Sequence, residues 1–244
     1  MKPIIGIMTR SGVNENNTPL QFVFESIRQA VIYSNGVPLY LTPPQNISYY
    51  QTHYQDFPPL TSEEKEIINY QLSLIDGLLL PGGSKITYYD FYVLKECLKR
   101  NIPVLGICLG MQTIANLNIN NFTLLDVPNQ NIHHHPNDVT KTHPITIEKN
   151  SILYKILQKD NILVNSNHTK MVDYTKECSV IARSSDNVIE AVELKNYDFC
   201  LGVQWHPEKD ILTNSDSKKI FSYFLQMAQK YKKNKEKTNI KLNF

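Results

Sequence analysis

The sequence has little of what marks a membrane or secreted protein. No apolar run in its 244 residues approaches the roughly 18 residues that a membrane span needs. The apolar segment after Lys2 is short and predicts a first strand, not a signal peptide. The four cysteines contain no Cys-x-x-Cys pair, which argues against a zinc ribbon and against a disulfide framework. We therefore expect a cytoplasmic protein that binds no membrane.

An excess of one charge is confined to the C-terminal end. The formal net charge is +2, and residues 230–244 hold six lysines against Glu236 alone. Removing that excess of five positive charges leaves about −3 for residues 1–229. We predict one domain over residues 1–229 and a solvated, lysine-rich tail over 230–244. No nucleic-acid partner is expected, since lysine mixed with asparagine at a chain end is more typical of a frayed terminus.

The order of apolar segments predicts an α/β fold. An apolar strand at residues 4–8 is followed by helical spacing from Phe22 to Tyr33, which Ser34-Asn35-Gly36 ends, and by a second strand at 37–41. This is the pattern of a βαβ unit in a parallel sheet. Two later segments, 179–183 and 188–193, alternate like half-exposed antiparallel strands. We predict a mostly parallel sheet flanked by helices, with antiparallel strands in the C-terminal half.

Two long segments lack any period and predict loops. Residues 45–62 are polar and aromatic, and residues 122–142 include His133-His134-His135. The histidines allow a metal site, an exposed loop or a substrate-pocket wall. We favour the exposed loop, because metal ligands normally come at spacings that place them on one face. We therefore predict no metal.

A nucleophile is predicted where an apolar strand meets a helix. Gly106-Ile107-Cys108-Leu109-Gly110 is the thiol counterpart of the Gly-x-Ser-x-Gly turn, which exposes a nucleophile on a strained backbone. A cysteine at a helix N-terminus is also favoured as thiolate. An isolated cysteine is more often a small buried apolar residue. The two flanking glycines favour the catalytic interpretation.

Two further motifs supply partners for a thiol. Pro81-Gly82-Gly83 follows a buried strand, where backbone N–H groups can approach a ligand as an oxyanion hole requires. A later strand leads into His206-Pro207-Glu208. A nucleophilic thiol needs a base, and the base needs an anion that fixes its tautomer. We assign these roles to His206 and Glu208.

Together, these three motifs resemble those of the class I glutamine amidotransferase superfamily. The opening residues 2–7, the Gly36-Val37-Pro38 turn and Val164-Asn165-Ser166-Asn167-His168 resemble its peptidase C26 branch, which includes the γ-glutamyl-γ-aminobutyrate hydrolases. The resemblance covers roughly residues 2–229. It implies a flavodoxin-like domain in which Cys108 attacks a γ-glutamyl amide and forms a thioester, and water then releases glutamate.

The resemblance also implies roles for individual residues. The N–H groups of Leu109 and of Gly82 or Gly83 would bind the oxyanion. The residues it implies for substrate binding are Gln112, Asn165, Ser166 and His168, and the Asn165-Ser166-Asn167-His168 turn would line the substrate side. Lys170, next to that turn, suggests an acidic leaving group.

Three classes of function remain open. The first is a free-standing hydrolase of small γ-glutamyl compounds, without a cofactor. The second is a glutaminase subunit that supplies ammonia to a separate synthase, and the third is a non-catalytic binding protein. We favour the hydrolase, because Cys108, His206 and Glu208 are all present and no synthase domain is fused to them. The expected partner is a small γ-glutamyl substrate, and a homodimer is compatible with the sequence.

Overall fold

The computed structural model describes residues 1–45, 58–117, 123–136 and 138–242, with side chains as far as residue 237. The strands are β1 (Ile4–Met8), β2 (Arg10–Val13), β3 (Pro19–Phe22), β4 (Val37–Leu41), β5 (Gly77–Leu80), β6 (Val104–Ile107), β7 (Leu125–Asp126), β8 (Thr142–Ile147), β9 (Asn161–Asn165), β10 (Lys170–Met171), β11 (Ser179–Ser184), β12 (Ile189–Glu193) and β13 (Cys200–Val203). The helices are α1 (Glu25–Tyr33), α2 (Ser62–Ser73), α3 (Tyr88–Lys99), α4 (Leu109–Asn116), α5 (Gln130–His133), α6 (Ile152–Leu157) and α7 (Ser215–Leu242).

A nine-stranded mixed sheet forms the centre of the fold. Its order is β4-β1-β5-β6-β13-β12-β11-β8-β9. The pairs from β4 to β13 are parallel, and those from β13 to β9 are antiparallel. The predicted fold class is therefore confirmed, including the position of the antiparallel strands. The carboxyl ends of the parallel strands meet at one edge, where α/β proteins place their ligand sites.

Apolar side chains pack on both faces of this sheet. One cluster joins the sheet to α1, α6 and α7, and includes Val31, Leu153 and Phe221. The other joins it to α2, α3 and α4, and includes Ile68 and Leu94. The central parallel strands are buried throughout, as their continuous apolar sequences predict. None of the helices in the described part of the chain has the length and apolar character to cross a bilayer.

Local sequence signals explain several helix ends. Thr61-Ser62-Glu63-Glu64 has the sequence pattern of a helix start, and α2 begins there: the Thr61 side chain accepts from the Glu64 N–H, and the Glu64 side chain accepts from the Thr61 N–H. The end of α1 differs in detail from the prediction. Asn35 adopts the left-handed conformation with φ of 69°, whereas Gly36 does not. Asparagine tolerates that conformation because its short polar side chain bonds locally.

Some boundaries and faces were predicted wrongly. The asparagine-rich polar composition of residues 11–19 predicts a loop, but β2 and β3 form a hairpin that contains part of this segment. Phe22 ends β3, so α1 begins only at Glu25. Ile67 is 45% exposed although its helical spacing predicts a buried face. Strand β12 is buried along its whole length and not half-exposed, because its side chains belong to the apolar clusters on both faces of the sheet.

Helix α7 passes through the predicted domain boundary without a break. Lys232 is 8% exposed, and its Nζ donates to the Lys2 carbonyl and lies 3.3 Å from Oδ2 of Asp76. Lys235 donates to the carbonyl of Ser73. The first turns of the predicted tail therefore pack on the domain, because buried Asp76 attracts their lysines.

The two predicted loops have different outcomes. Most of the 45–62 segment lies outside the described residues. The 122–142 segment contains β7 and α5, and β7 pairs with β10. His133, at the end of α5, is fully buried, so the exposed-loop interpretation is wrong for this residue. His134 is exposed and His135 is half-buried.

Candidate active site

Cys108 lies in a strained turn between β6 and α4. Its backbone has φ of 52° and ψ of −106°, in the region that non-glycine residues rarely adopt. The flanking glycines permit this turn by close packing. A Cβ on Gly106 would lie 2.7 Å from the Gly110 carbonyl, and a Cβ on Gly110 would lie 2.1 Å from the carbonyl oxygen of Leu80. Gly110 is thus required by neighbouring strand β5 as well as by the turn itself.

His206 follows β13 and contacts Glu208. Its Nδ1 lies 2.7 Å from Oε1 of Glu208, and both residues are buried. Burial disfavours the imidazolium, but Glu208 and then Cys108 outweigh it and raise the pKa of His206 from 6.5 to about 10. Nε2 of His206 has no hydrogen bond of ordinary geometry to any described residue. Glu208 therefore orients the ring and leaves Nε2 for another partner.

Asn165 fixes the backbone of His206. Its Oδ1 accepts from the His206 N–H at 3.0 Å, and its Nδ2 donates to the His206 carbonyl at 3.0 Å. The side chain is 3% exposed, so both bonds form away from solvent. This pair of bonds fixes the position of the His206 backbone after the end of β13.

Arg10, the first residue of β2, fixes the Pro81-Gly82-Gly83 turn. Its guanidinium donates to the Pro81 carbonyl at 2.5 Å and to the Gly82 carbonyl at 3.1 Å, and it pairs with Asp90 at 2.5 Å. A trans peptide points its N–H opposite to its carbonyl, so the N–H groups of Gly82 and Gly83 point away from Arg10. The buried ion pair with Asp90 at the start of α3 holds the guanidinium in place.

The turn comes close to both Cys108 and His206. A Cβ added to Gly82 would lie 3.1 Å from Cε1 of His206 and 3.5 Å from Cβ of Cys108. Leu109 lies beside the same thiol as the first residue of α4, so its N–H has no acceptor within the helix. The three sequence motifs therefore meet at the carboxyl edge of the parallel strands.

A cavity of about 460 Å³ opens over these residues. Cys108, His206 and Gly82 line it at one end. Other walls come from the β2–β3 hairpin and from the residues after β5; they include Gln21, Phe22, Phe24, Ser84 and Tyr89. Its volume suits a small molecule.

The residues implied for substrate binding do not line this cavity. Gln112 is 3% exposed and donates to the Lys170 carbonyl and to Oε1 of Gln204. Ser166 and His168 are buried, and Asn165 bonds to His206. The four assignments stay predictions. Gln112 is a buried residue of α4, and Asn165, Ser166 and His168 of the turn after β9 are buried as well.

Lys170 is also placed differently from the suggestion made on sequence. It is half exposed and forms an ion pair with Asp126 at 2.8 Å, away from the cavity. Nothing in that position selects an acidic leaving group.

Asn167 belongs to the turn that the resemblance places on the substrate side, and it lines the cavity although its neighbours in that turn do not. One cavity residue was missed by the sequence argument. Arg10 lines the cavity too, and it is 7% exposed. An arginine two residues after the first parallel strand was a usable signal, since that position lies at the edge where the motifs meet.

Comparisons with known proteins agree with this geometry. The peptidase C26 family matches residues 87–208, which include Cys108, His206 and Glu208. A γ-glutamyl-γ-aminobutyrate hydrolase of Escherichia coli is 26% identical over 259 residues, covering 93% of this chain and 94% of that protein. A Rickettsia prowazekii protein named as glutamine amidotransferase-like is 26% identical, covering 85% of this chain and 91% of that protein.

A solved structure shows the same fold. The glutaminase domain of Trypanosoma brucei CTPS, with bound acivicin, superposes with a TM-score of 0.61 at 20% identity, covering 93% of this chain and 94% of that one. Fold and sequence together define a glutamine amidotransferase-like hydrolase. Within that class, the chain belongs to the peptidase C26 family.

Proposed function

We propose that this protein is a cysteine hydrolase that cleaves the γ-glutamyl amide bond of a small compound, releasing glutamate and an amine. The carrying observation is Cys108 on its strained turn, in one cavity with a His206 ring that Glu208 orients. The similarity to a γ-glutamyl-γ-aminobutyrate hydrolase supports a γ-glutamyl substrate.

The first step forms a thioester. The sulfur of Cys108 attacks the amide carbonyl carbon, forming a C–S bond as the C–N bond breaks. The raised pKa of His206 favours the imidazolium, which gives its Nε2 proton to the leaving amine. Glu208 stabilises that positive charge before the transfer and holds the Nδ1 proton during it.

The second step returns the enzyme to its starting state. Neutral His206 takes a proton from water, and the resulting hydroxide attacks the thioester carbon. The C–S bond breaks, glutamate leaves, and Cys108 is restored as thiolate beside the imidazolium.

Both steps place negative charge on the carbonyl oxygen. We assign its stabilisation to the N–H of Leu109 and to those of Gly82 and Gly83. The Leu109 N–H stands at the start of α4, where the helix dipole favours an anion. Arg10 contributes indirectly, by holding the carbonyls of Pro81 and Gly82 on the opposite side.

The cavity walls support an amine with an aliphatic part. Phe22 and Phe24 line the cavity and pack edge to face with ring centroids 5.2 Å apart. Pro43 and Pro136 add further apolar surface. An aliphatic chain that leaves water for these surfaces gains about 0.8 kcal/mol per buried methylene.

Release of glutamate from a panel of γ-glutamyl amides tests the proposal. The panel contains glutamine, γ-glutamyl derivatives of aliphatic amines of increasing length, and an α-glutamyl isomer. We expect turnover of γ-linked compounds alone, with kcat/KM rising with chain length. Cys108→Ala should lower turnover by about a thousandfold or more.

Cys178→Ala is the matched control. Burial raises the pKa of the Cys178 thiol to about 12, so this thiol stays un-ionised and its loss should leave turnover unchanged. Acid quenching during turnover should trap a glutamyl group on Cys108, detectable by mass spectrometry. Absence of turnover on every amide, with Cys108 reduced and the fold intact, contradicts a free-standing hydrolase and favours the synthase-dependent alternative.

A further inference from the structure

A second group of buried polar side chains lies in the antiparallel half of the sheet and in the segments next to it. It comprises His133 at the end of α5, His143 in β8, His168 after β9 and Glu190 in β12. His133 and Glu190 are fully buried, and His143 and His168 are 6% and 5% exposed. We call these four residues the histidine cluster. None of them lines the active-site cavity.

The three histidines converge on one carboxylate oxygen. Oε1 of Glu190 lies 3.3 Å from Nδ1 of His133, 3.6 Å from Nε2 of His143 and 3.8 Å from Nε2 of His168. These three nitrogens and both oxygens of Glu190 have no hydrogen-bond partner among the described residues. Buried polar atoms are rarely left without partners, so five in one place require an explanation.

The outer nitrogen of each ring already faces an acceptor. Nε2 of His133 contacts both oxygens of Asp186, at 3.0 and 3.2 Å. Nδ1 of His168 lies 3.0 Å from the Lys170 carbonyl, and Nδ1 of His143 lies 3.4 Å from the Pro144 carbonyl. An acceptor at the outer nitrogen places the proton there, so a neutral ring points its lone pair at Glu190. Such outer contacts are typical of metal-binding histidines.

The spacing fits a tetrahedral metal ion. With metal–ligand bonds of about 2.0–2.1 Å, the edge of a tetrahedron is about 3.3–3.4 Å. The nitrogens of His133 and His143 lie 3.3 and 3.6 Å from Oε1 of Glu190, and the ligand atoms of these three residues all lie within 4.8 Å of one another. Nε2 of His168 lies farther from Oε1, at 3.8 Å, and is outside that group. Glu190 and Asp186 also supply two negative charges for a divalent cation.

We propose that His133, His143, His168 and Glu190 bind one divalent transition-metal ion. Three imidazole nitrogens and one carboxylate oxygen suit Zn²⁺ best among the common metals, since Mg²⁺ and Ca²⁺ prefer oxygen ligands. His168, whose Nε2 lies 3.8 Å from Oε1 of Glu190, is the fourth protein ligand in this proposal, and none of the four residues lines the cavity. The site is therefore structural.

The ion would join segments that position the active site. His168 donates its backbone N–H to the His133 carbonyl, and His135 donates to the Ser166 carbonyl. The turn between those contacts carries Asn167, which lines the cavity. On the other side, the Glu190 carbonyl accepts from the backbone N–H of Gln204, two residues before His206. Metal binding would thus stabilise α5 and the turn after β9 against β12.

A protonated histidine is the alternative to a metal ion in this cluster. Burial lowers the pKa of His133, but Glu190 and Asp186 outweigh it, so the net shift is upward. A protonated His133 would then bridge the two carboxylates. The two states differ in metal content and in their response to chelators.

Metal analysis of untagged, full-length protein tests the site. After dialysis, we expect about one Zn²⁺ per chain by elemental mass spectrometry. Cys108→Ser should retain it, which excludes binding at the catalytic thiol. His134→Ala and His135→Ala are matched controls from the same run of histidines and should retain it too. Glu190→Gln and His143→Ala should lose at least about tenfold in metal affinity.

A measurement on the wild-type chain covers the case in which these variants do not fold. Chelation should lower the thermal midpoint, and Zn²⁺ should restore it, as linkage requires for a ligand of the native state. Cobalt substitution should give visible ligand-field bands without a thiolate charge-transfer band. Metal-free protein whose midpoint is insensitive to both chelator and Zn²⁺ would overturn the proposal in favour of the protonated cluster. Equal metal content in Glu190→Gln and wild type would place the metal elsewhere and also overturn it.

Discussion

Replacing Asn165 separates two roles that a single residue can have at this site. Its family motif implies substrate binding, whereas its contacts are the two bonds to the backbone of His206. We expect Asn165→Ala to impair the position of His206 and not the affinity for substrate. The variant should therefore lose kcat while KM changes little.

The expected size follows from those contacts. Each buried hydrogen bond contributes about 1 kcal/mol, and each backbone group left unpaired costs about 1–3 kcal/mol. Both bonds form at a side chain that is 3% exposed, so we expect a loss of about 2–6 kcal/mol in the free energy of unfolding. For a chain of this size, the thermal midpoint should fall by about 4–24 °C. Misplacing the base by about 1 Å should lower kcat by about 100-fold.

Asn167→Ala is the matched control, since it removes the same side chain two residues along the turn. Asn167 lines the cavity and is only partly buried, so we expect a raised KM with little change in stability. Steady-state kinetics of glutamate release and thermal unfolding measure both variants. A wild-type midpoint together with a raised KM in Asn165→Ala would refute the positioning role.

Three further results are expected. Gly82→Ala places a methyl group 3.1 Å from Cε1 of His206, so kcat/KM should fall by about 100-fold. The φ of Gly82 is not positive, so stability to urea should stay near that of the wild type, and a fully active variant would contradict this packing. Glu208→Gln removes the strongest influence raising the pKa of His206, so that pKa, followed by NMR, should fall well below 10. A raised histidine pKa stabilises the fold most below pH 6.5, and this contribution is lost as pH rises through about 10. The difference in unfolding free energy between wild type and variant should therefore shrink across that window, and a constant difference would refute the role of Glu208. Deleting residues 230–244 removes the lysines beside Asp76, which is 3% exposed, and should cost about 3–5 kcal/mol in urea unfolding; unchanged stability would support a dispensable tail.

The fold was largely predictable because its main signals are local. Apolar runs predict the buried strands, and the acidic residues after Thr61 predict the start of α2. Errors arose where tertiary contacts decide the outcome. Strand β12 alternates in sequence, yet both of its edges are paired and both faces are covered. The lysine-rich composition of the C-terminal end predicts a solvated segment, yet Lys232 in its first turns bonds to buried Asp76.

The site was predictable only in part, for a related reason. Cys108, His206 and Gly82 belong to short motifs whose backbone shape is fixed locally, and the structure brings them together. The direction of the side chains in the turn after β9 is not fixed in that way. It depends on β13 and on α5, which bond to Asn165 and His168.

The histidine cluster shows the same limit. The run His133-His134-His135 is evident in the sequence, but of these three histidines only His133 is buried. Its companions come from β8, from the turn after β9 and from β12, which only the folded sheet brings together.

The antiparallel half of the sheet therefore bears on catalysis without supplying a reacting group. The His206 backbone is bonded to Asn165 at the end of β9, and β13 is bonded to β12 through the Glu190 carbonyl. Both contacts sit beside the histidine cluster, which joins the same strands through side chains. The parallel strands present the thiol and the oxyanion turn, while the antiparallel strands fix the base that must face them. A change in the cluster should thus alter kcat through the backbone that holds His206, and it should alter KM through the turn that carries Asn167.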